Sequence, residues 1–216
     1  MSPLPHLQQR EALIATARQL NPSGLNQGTS GNLSLRVENG FFISPTGMDY
    51  DALRPEDIVF MRFDGSSEGP RLPSSEWRFH RDIFAVRPEV HAVLHTHSLH
   101  STALACLRRG IPAFHYMVAK AGGSDIRCAP YATFGTEELS RLAVAALDGR
   151  KACLLANHGL ITVGADLAAA LKLAVEVETL AAMYLRALPA GEPVLLDDAE
   201  MAVVLEKFRT YGQQSQ

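Results

Sequence analysis

The sequence predicts a single-domain protein of the α/β class. Some stretches have apolar residues at helical spacing. Between them lie short runs, either wholly apolar or alternating apolar and polar, that are bounded by Gly, Pro, Asn and Ser. This order is typical of helices interleaved with strands. The 216 residues are enough for one sizeable core. The chain has no internal repeat, low-complexity segment or linker, so we expect one domain over residues 1–216.

Six stretches have the helical spacing. In chain order they cover residues 6–20, 73–86, 101–107, 135–147, 166–188 and 198–211. We expect Ser74 or Ser75 to be the N-cap of the second helix and Asp166 that of the fifth. Glu178 falls within the apolar face of the fifth helix, which predicts a buried partner for it or a place in a subunit interface.

Seven short runs predict strands. They cover residues 33–37, 41–43, 58–61, 91–97, 126–129, 153–156 and 160–163. Asn39 and Gly40 separate the first two runs and predict a tight hairpin there.

The fourth strand carries His91, His95 and His97, which share one face because side chains alternate along a strand. At about 3.3 Å per residue, His95 and His97 lie roughly 6.6 Å apart along the chain. Both rings can therefore reach one ion bound at about 2.0–2.1 Å, whereas His91 is too far away. Alone, such a pair is more often two solvated or hydrogen-bonded histidines. His158 lies at a strand-to-turn corner, where a histidine is likewise more often structural.

Two loops of small polar residues, residues 28–32 and 44–47, follow the pattern of backbone N–H cradles for anions. The second helix start, at Ser74 and Ser75, is a third candidate because helix N-termini attract phosphate. Each alone is more often plain turn or cap chemistry. Glu76 and His80 lie one helical turn apart, where an exposed contact is commoner than a ligand pair.

Charge and hydropathy exclude several classes of function. A net charge of −3 gives no basic surface for nucleic acid. No apolar run approaches the roughly 20 residues of a membrane span, and the first residues lack the pattern of a signal peptide. Cys106, Cys128 and Cys153 are odd in number and widely spaced, so we expect free thiols and a cytoplasmic protein.

Assembled in order, the motifs resemble the class II aldolase/adducin family, and within it the aldolases that act on L-fuculose 1-phosphate. The matching stretches are residues 24–32, 45–47, 72–80, 95–100, 111–112, 115–117, 121–123, 128–136, 158–159, 203–208 and 210–212. They run nearly end to end. The resemblance implies a three-layer α/β/α fold with a central, mostly antiparallel sheet. It also implies a homotetramer with active sites at subunit interfaces.

The resemblance assigns a metal centre to His95, His97, His158 and Glu76. Zn²⁺, one ion per subunit, suits this imidazole-rich set best, and other divalent transition ions are compatible with it. The implied phosphate-binding residues are Gly31, Asn32, Thr46, Gly47, Ser74 and Ser75, and those around the aldehyde end are Phe134, Phe208 and Tyr211. Asn26 is a further implied substrate-binding residue. Tyr116 matches a catalytic tyrosine that a neighbouring subunit donates.

The implied activity is that of a lyase. It cleaves L-fuculose 1-phosphate, or a related ketose 1-phosphate, to dihydroxyacetone phosphate and L-lactaldehyde or a related short aldehyde. Breaking the C3–C4 bond leaves an enediolate that a metal ion stabilises. In this scheme Glu76 moves the C3 proton and Tyr116 moves the proton on the C4 oxygen. Among departures from the family pattern, Asn157 adjoins a ligand and is the one that can alter the metal's surroundings.

Other activities of the family stay open at this point. L-Ribulose-5-phosphate 4-epimerases, methylthioribulose-1-phosphate dehydratases and sugar-acid phosphate decarboxylases share the three-histidine metal. The segment around Tyr116, with Phe208 and Tyr211, favours the aldolase. A metal-free interaction module of the adducin type is disfavoured because all four ligands are present.

Overall fold

The computed structural model describes residues 4–210. Its helices are Leu7–Leu20 (α1), Trp77–Val86 (α2), Leu99–Cys106 (α3), Glu137–Ala146 (α4), Leu167–Ala187 (α5) and Asp198–Thr210 (α6). Its strands are Asn32–Val37 (β1), Gly40–Ile43 (β2), Val59–Arg62 (β3), Ser67–Glu68 (β4), Ala92–Thr96 (β5), Arg127–Ala129 (β6), Ala152–Leu155 (β7) and Gly159–Gly164 (β8). Residues 1–3 and 211–216 lie outside this range, so the domain's extent over all 216 residues stays a prediction.

The eight strands form one sheet in the order β4-β3-β2-β1-β5-β8-β7-β6. All neighbouring pairs are antiparallel except β6 and β7, which are parallel. The β1–β2 hairpin closes with Val37 opposite Gly40, and Asn39 takes the left-handed conformation that such a tight turn requires. The predicted hairpin and the mostly antiparallel sheet are confirmed.

Helices cover both faces of the sheet, because alternate strand side chains enter two separate cores. One core packs α1, α3, α5 and α6 against residues such as Leu33 and Leu94. The other packs α2 and α4 against residues such as Val93 and Ile161. This confirms the three-layer α/β/α architecture. His95 has the same strand parity as Val93, so its side chain lies on the α2 side of the sheet.

The predicted cap of α2 is wrong. The helix begins at Trp77 with Glu76 at the N-cap position, so Ser74 and Ser75 lie in the turn before it. Ser74 Oγ instead accepts a hydrogen bond from the Glu76 N–H at 3.3 Å. The predicted cap of α5 is confirmed, since Asp166 accepts from the Ala169 N–H.

Glu178 has the buried partner that its place in α5 predicts. Its two carboxylate oxygens accept hydrogen bonds from the backbone N–H groups of His100 and Ser101 at 2.8 and 2.9 Å, and from Ser101 Oγ at 2.7 Å. These N–H groups belong to the first turn of α3, which has no carbonyl partners for them. Burial acts to raise the pKa of Glu178, but these donors outweigh it and lower the pKa. Glu178 therefore fixes the helix that follows the His95–His97 segment.

No helix within residues 4–210 is both long and apolar enough to cross a membrane.

Replacing Glu178 by Ala should lower the free energy of unfolding by about 2 kcal/mol, because buried N–H donors of α3 lose a charged acceptor. Urea unfolding followed by circular dichroism measures the change. Glu138→Ala is the matched control, since it breaks an exposed ion pair with Arg141. It should change the stability little. Equal losses in the two variants would contradict the capping role.

Candidate metal centre and active site

A cavity of about 310 Å³ opens at the edge of the sheet where β1, β5 and β8 meet the start of α2. Its wall consists of three small-residue segments, two histidines and an aromatic loop. The lining residues are Thr29, Ser30, Gly31, Asn32, Pro45, Thr46, Gly47, Ser74, Ser75, Glu76, His97, Tyr131, Ala132, Phe134 and His158. Most of the predicted site residues therefore surround one space.

The register of the strands brings the histidines together. His95 lies in β5, opposite Asn32 of β1 and Ile161 of β8, and His97 follows the strand end. His158 lies in the turn between β7 and β8, just before Gly159. A Cβ atom at Gly159 would lie only 2.4 Å from the Thr96 carbonyl oxygen. Glycine is needed there because the His158 turn crosses directly over the end of β5.

Four side chains converge on one point. The Nε2 atoms of His95 and His97 are 3.0 Å apart, and the ligand atoms of His95, His97 and His158 lie within 4.8 Å of one another. The Glu76 carboxylate joins them, with Oε2 at 3.3 Å from His95 Nε2 and Oε1 at 3.3 Å from His158 Nε2. His95 is fully buried and Glu76 is buried. The four predicted ligands thus form one cluster.

The His95 ring presents a lone pair to this cluster. Its Nδ1 lies 3.0 Å from the Leu160 carbonyl oxygen, which only accepts, so Nδ1 holds the proton of the neutral ring. Burial, reinforced by neighbouring His97, lowers the pKa of His95 to about 3. Burial, reinforced by His95, also lowers the pKa of His158 to about 4 despite the opposing effect of Glu76. The rings are therefore uncharged near neutral pH.

This arrangement fits a divalent cation. A carboxylate facing the bare nitrogen of His95 in a buried site is unfavourable unless positive charge lies between them. Glu76 Oε1 is buried and has no hydrogen-bond partner among the described residues, as expected of an atom that awaits such a ligand. Neutral imidazole nitrogens with one carboxylate oxygen are the donors that Zn²⁺ takes in proteins.

The small-residue segments that line the cavity are held side by side. Thr46 N–H donates to the Leu72 carbonyl oxygen and Ser74 N–H to that of Ser44, both at 3.1 Å. The first loop is fixed by Tyr50, whose hydroxyl donates to the Gly31 carbonyl oxygen at 2.9 Å. All six residues predicted around a phosphate line the cavity.

Gly31 cannot carry a side chain. Its φ is +77°, and a Cβ atom would lie 2.2 Å from Asn26 Nδ2 and 2.6 Å from the His95 carbonyl oxygen. The loop therefore packs directly on β5.

Three predicted site residues lie away from this cavity. Asn26 is buried behind the loop and does not line the cavity; its Oδ1 accepts from the His97 N–H at 2.8 Å. Tyr116 and Phe208 line a different cavity, of about 590 Å³, with parallel rings 6.3 Å apart. Tyr211 is outside the described residues. Phe134 does line the histidine cavity and is largely exposed.

The structure also brings in residues that the sequence did not single out. Tyr131 and Ala132 line the cavity beside Phe134, and the aromatic loop of residues 128–136 is the signal that could have indicated them. His80 is fully buried, so the expectation of an exposed contact with Glu76 is wrong. It contacts Asn32 and Ser34 instead.

The comparisons with known proteins agree with this geometry. The sequence profile of the family described as Class II Aldolase and Adducin N-terminal domain matches residues 11–185. The chain belongs to the class II aldolase and adducin family. Members of the aldolase branch are metal-dependent lyases, and the three histidines of this chain are able to hold a metal ion.

Several relatives in this family are similar over nearly the whole chain. A 5-methylthioribulose-1-phosphate/5-deoxyribulose-1-phosphate aldolase of Rhodospirillum rubrum is 61% identical over 207 residues, covering 96% of this chain and 94% of the relative. An L-fuculose phosphate aldolase of Escherichia coli strain K12 is 53% identical over 201 residues, covering 93% and 94%. Among solved structures, an L-fuculose 1-phosphate aldolase superposes with a TM-score of 0.90 at 43% identity, covering 93% of this chain and 95% of that one.

The stability of the metal-free protein should fall as the pH drops from 7.5 to 5. The pKa values of His95 and His158 are about 3 and 4 when folded, below the ordinary 6.5, so the unfolded chain binds more protons in this window. Each histidine should contribute roughly 2 kcal/mol to the fall. Urea unfolding of chelator-treated protein at both pH values measures it.

His158→Gln should reduce this pH dependence, whereas His91→Gln, at an exposed histidine before β5, should leave it unchanged. An identical pH dependence in the wild type and the His158 variant would contradict the assignment.

Proposed function

We propose that this protein is a class II aldolase that uses a divalent metal ion, best matched by Zn²⁺, to cleave a ketose 1-phosphate to dihydroxyacetone phosphate and a short aldehyde. One observation carries the proposal. The bare Nε2 of His95, the His97 and His158 rings and the Glu76 carboxylate converge beside a cavity that small polar residues also line.

The phosphate is proposed to bind opposite the histidine cluster. The residues for this role are Gly31, Asn32, Thr46, Gly47, Ser74 and Ser75. This role is supported by two observations: all six residues line the cavity, and main-chain hydrogen bonds hold their segments side by side. Anchoring the phosphate fixes the position of the ketose carbonyl. The binding energy of the phosphate therefore orients the reacting carbons.

The metal ion would be held by His95, His97, His158 and Glu76. When bound, it supplies positive charge beside the ketose oxygens, where negative charge grows as the C3–C4 bond breaks. Glu76 is assigned the proton that C3 gains after this cleavage. Its carboxylate is the acid–base group of the cluster, and its Oε1 has no hydrogen-bond partner within residues 4–210. No lysine is required, since no Schiff base forms.

Tyr116 is assigned the proton of the C4 hydroxyl, acting in the site of a neighbouring subunit. Support comes from its position: it is half exposed and lines a cavity that contains none of the four metal-binding residues of its own chain. Phe208 stacks on it and would accompany it. If each subunit donates its Tyr116 to the site of the next subunit, the assembly closes into a ring. We propose that this ring is a homotetramer.

The substrate is proposed to be a ketose 1-phosphate with an apolar terminal carbon. The relatives above act on L-fuculose phosphate, which ends in a methyl group, or on 5-deoxy and 5-methylthio pentulose phosphates. Tyr131 and Phe134 give the cavity an aromatic rim suited to such an end. A cytoplasmic location, where sugar phosphates occur, is part of the proposal and agrees with the three free cysteines.

Release of dihydroxyacetone phosphate, coupled to a dehydrogenase that consumes it, tests the activity. L-Fuculose 1-phosphate, 5-methylthioribulose 1-phosphate and 5-deoxy-D-ribulose 1-phosphate should all be cleaved. D-Ribulose 1-phosphate differs from the last only by a terminal hydroxyl and should have a kcat/KM lower by about 10- to 100-fold. A chelator should abolish the activity and Zn²⁺ should restore it. If no ketose 1-phosphate releases dihydroxyacetone phosphate, the proposal is wrong.

Glu76→Gln and Tyr116→Phe should each lose most turnover, because each removes a proton carrier. Co-expression of the two variants with different affinity tags should recover activity in mixed oligomers. In a cyclic ring about a quarter of the sites would pair an intact Glu76 with an intact Tyr116 of the next subunit. Mixed oligomers as inactive as the single variants would argue against a shared site.

A further inference from the structure

A chain of buried hydrogen bonds runs behind Glu76. Ser34 Oγ lies 2.6 Å from His80 Nδ1, and His80 Nε2 lies 2.5 Å from Asn32 Oδ1. Asn32 Nδ2 in turn lies 3.0 Å from Glu76 Oε2. Ser34 and His80 are completely inaccessible to solvent, and Asn32 and Glu76 are nearly so. Bulk water therefore does not reach the Ser34–His80 part of this hydrogen-bond chain.

The direction of every hydrogen bond in the chain is determined. The Glu76 carboxylate only accepts, so the Asn32 amide must turn its NH₂ group toward it. The amide oxygen of Asn32 then faces His80 Nε2, which must hold the ring proton. His80 Nδ1 is left bare and accepts from the Ser34 hydroxyl. Burial, reinforced by His95, holds the pKa of His80 well below its ordinary value, so the ring is neutral, as a single tautomer requires.

Both ends of the chain rest on rigid elements. Ser34 and Asn32 are two residues apart on β1 and point to the same side of the sheet, toward α2. His80 lies on α2, one helical turn after Glu76, and stacks on Phe79 with ring centroids 4.6 Å apart. Asn32 is also the register partner of His95. The chain thus ties the Glu76 carboxylate to the strand pair that holds His95.

Because the direction of these hydrogen bonds is fixed, His80 does more than pack against its neighbours. An amide side chain can rotate by half a turn with little change in shape. Rotation of Asn32 would point its oxygen at the Glu76 carboxylate and remove the hydrogen bond. The His80 Nε2–H group prevents this, because it needs the amide oxygen as its acceptor.

We infer that His80 is a positioning residue that acts through Asn32 to hold the Glu76 carboxylate in place for the metal ion and for proton transfer. The inference rests on the function proposed above for Glu76. It also bears on the role of Asn32: the amide oxygen and the NH₂ group each have a partner in these hydrogen bonds, which favours the backbone N–H for any contact with phosphate.

Two substitutions of His80 separate hydrogen bonding from packing. His80→Leu keeps an apolar side chain of moderate size but provides no N–H donor, whereas His80→Gln can place an amide N–H near the position of Nε2. Zn²⁺ affinity, measured by competition with a chromophoric chelator, should fall by about 10- to 100-fold in the Leu variant. Its kcat should fall similarly, with KM changed less because the phosphate loops are untouched. The Gln variant should recover most of both losses.

Ser34→Ala keeps the test decisive if His80→Leu fails to fold. It removes only the hydroxyl that fixes the His80 tautomer, so it should weaken Zn²⁺ binding and turnover in the same direction but less. Ser140→Ala is its matched control. Ser140 is equally buried and its hydroxyl also donates to a side chain of α2, that of Asp82 at 2.6 Å. The control variant should bind Zn²⁺ and turn over like the wild type.

Several results would overturn the inference. One is a folded His80→Leu protein with wild-type Zn²⁺ affinity and kcat. Another is a Gln variant no better than the Leu variant, which would reduce His80 to a packing residue. A third is a Ser34→Ala protein indistinguishable from the Ser140 control. Zn²⁺ affinity is measured without substrate, so it tests His80 even if no ketose phosphate is cleaved; failure of the proposed reaction alone leaves that readout intact.

Discussion

The structure around the cavity depends on one electrostatic constraint. A carboxylate and the bare nitrogen of a buried imidazole lie 3.3 Å apart, and two further rings crowd the same point. The histidines do not solve the problem by taking up a proton near neutral pH, because burial lowers their pKa values and keeps them neutral. A cation bound between them would make the arrangement favourable. The fold therefore stores unfavourable interactions that a metal ion relieves, which couples metal binding to the stability of the strand ends.

The rest of the scaffold resists the relaxation that would otherwise disperse these groups. His95 is fixed by a hydrogen bond to β8, and His97 by a backbone hydrogen bond to Asn26. Glu178 holds the helix that follows them. The absence of a side chain at Gly159 lets the His158 turn lie over the end of β5. Each of these contacts comes from a different part of the chain, so the cluster exists only in the folded sheet.

Sequence reasoning succeeded where local periodicity determines the outcome. Strand alternation predicted that His95 and His97 share a face, and helical periodicity predicted a buried partner for Glu178. The choice of Glu76 and His158 came from family resemblance, because their approach depends on how distant strands pair. His80 was misread since its partners, Asn32 and Ser34, lie on β1 more than forty residues earlier. The start of α2 was placed too early because serines before a helix resemble caps even when the backbone turns later.

Asn26 and Tyr50 link the loop of small residues to the strand that carries the histidines. One amide bonds the backbone of His97 and packs against Gly31, and one phenol bonds the Gly31 carbonyl. These contacts tie the loop to the strand and set the distance between them. If a phosphate binds in that loop, the distance from the loop to the histidines selects substrates by the number of carbons between the phosphoryl group and the carbonyl. Ketoses that carry the phosphate on the carbon farthest from the carbonyl would not span this distance correctly, whatever their stereochemistry.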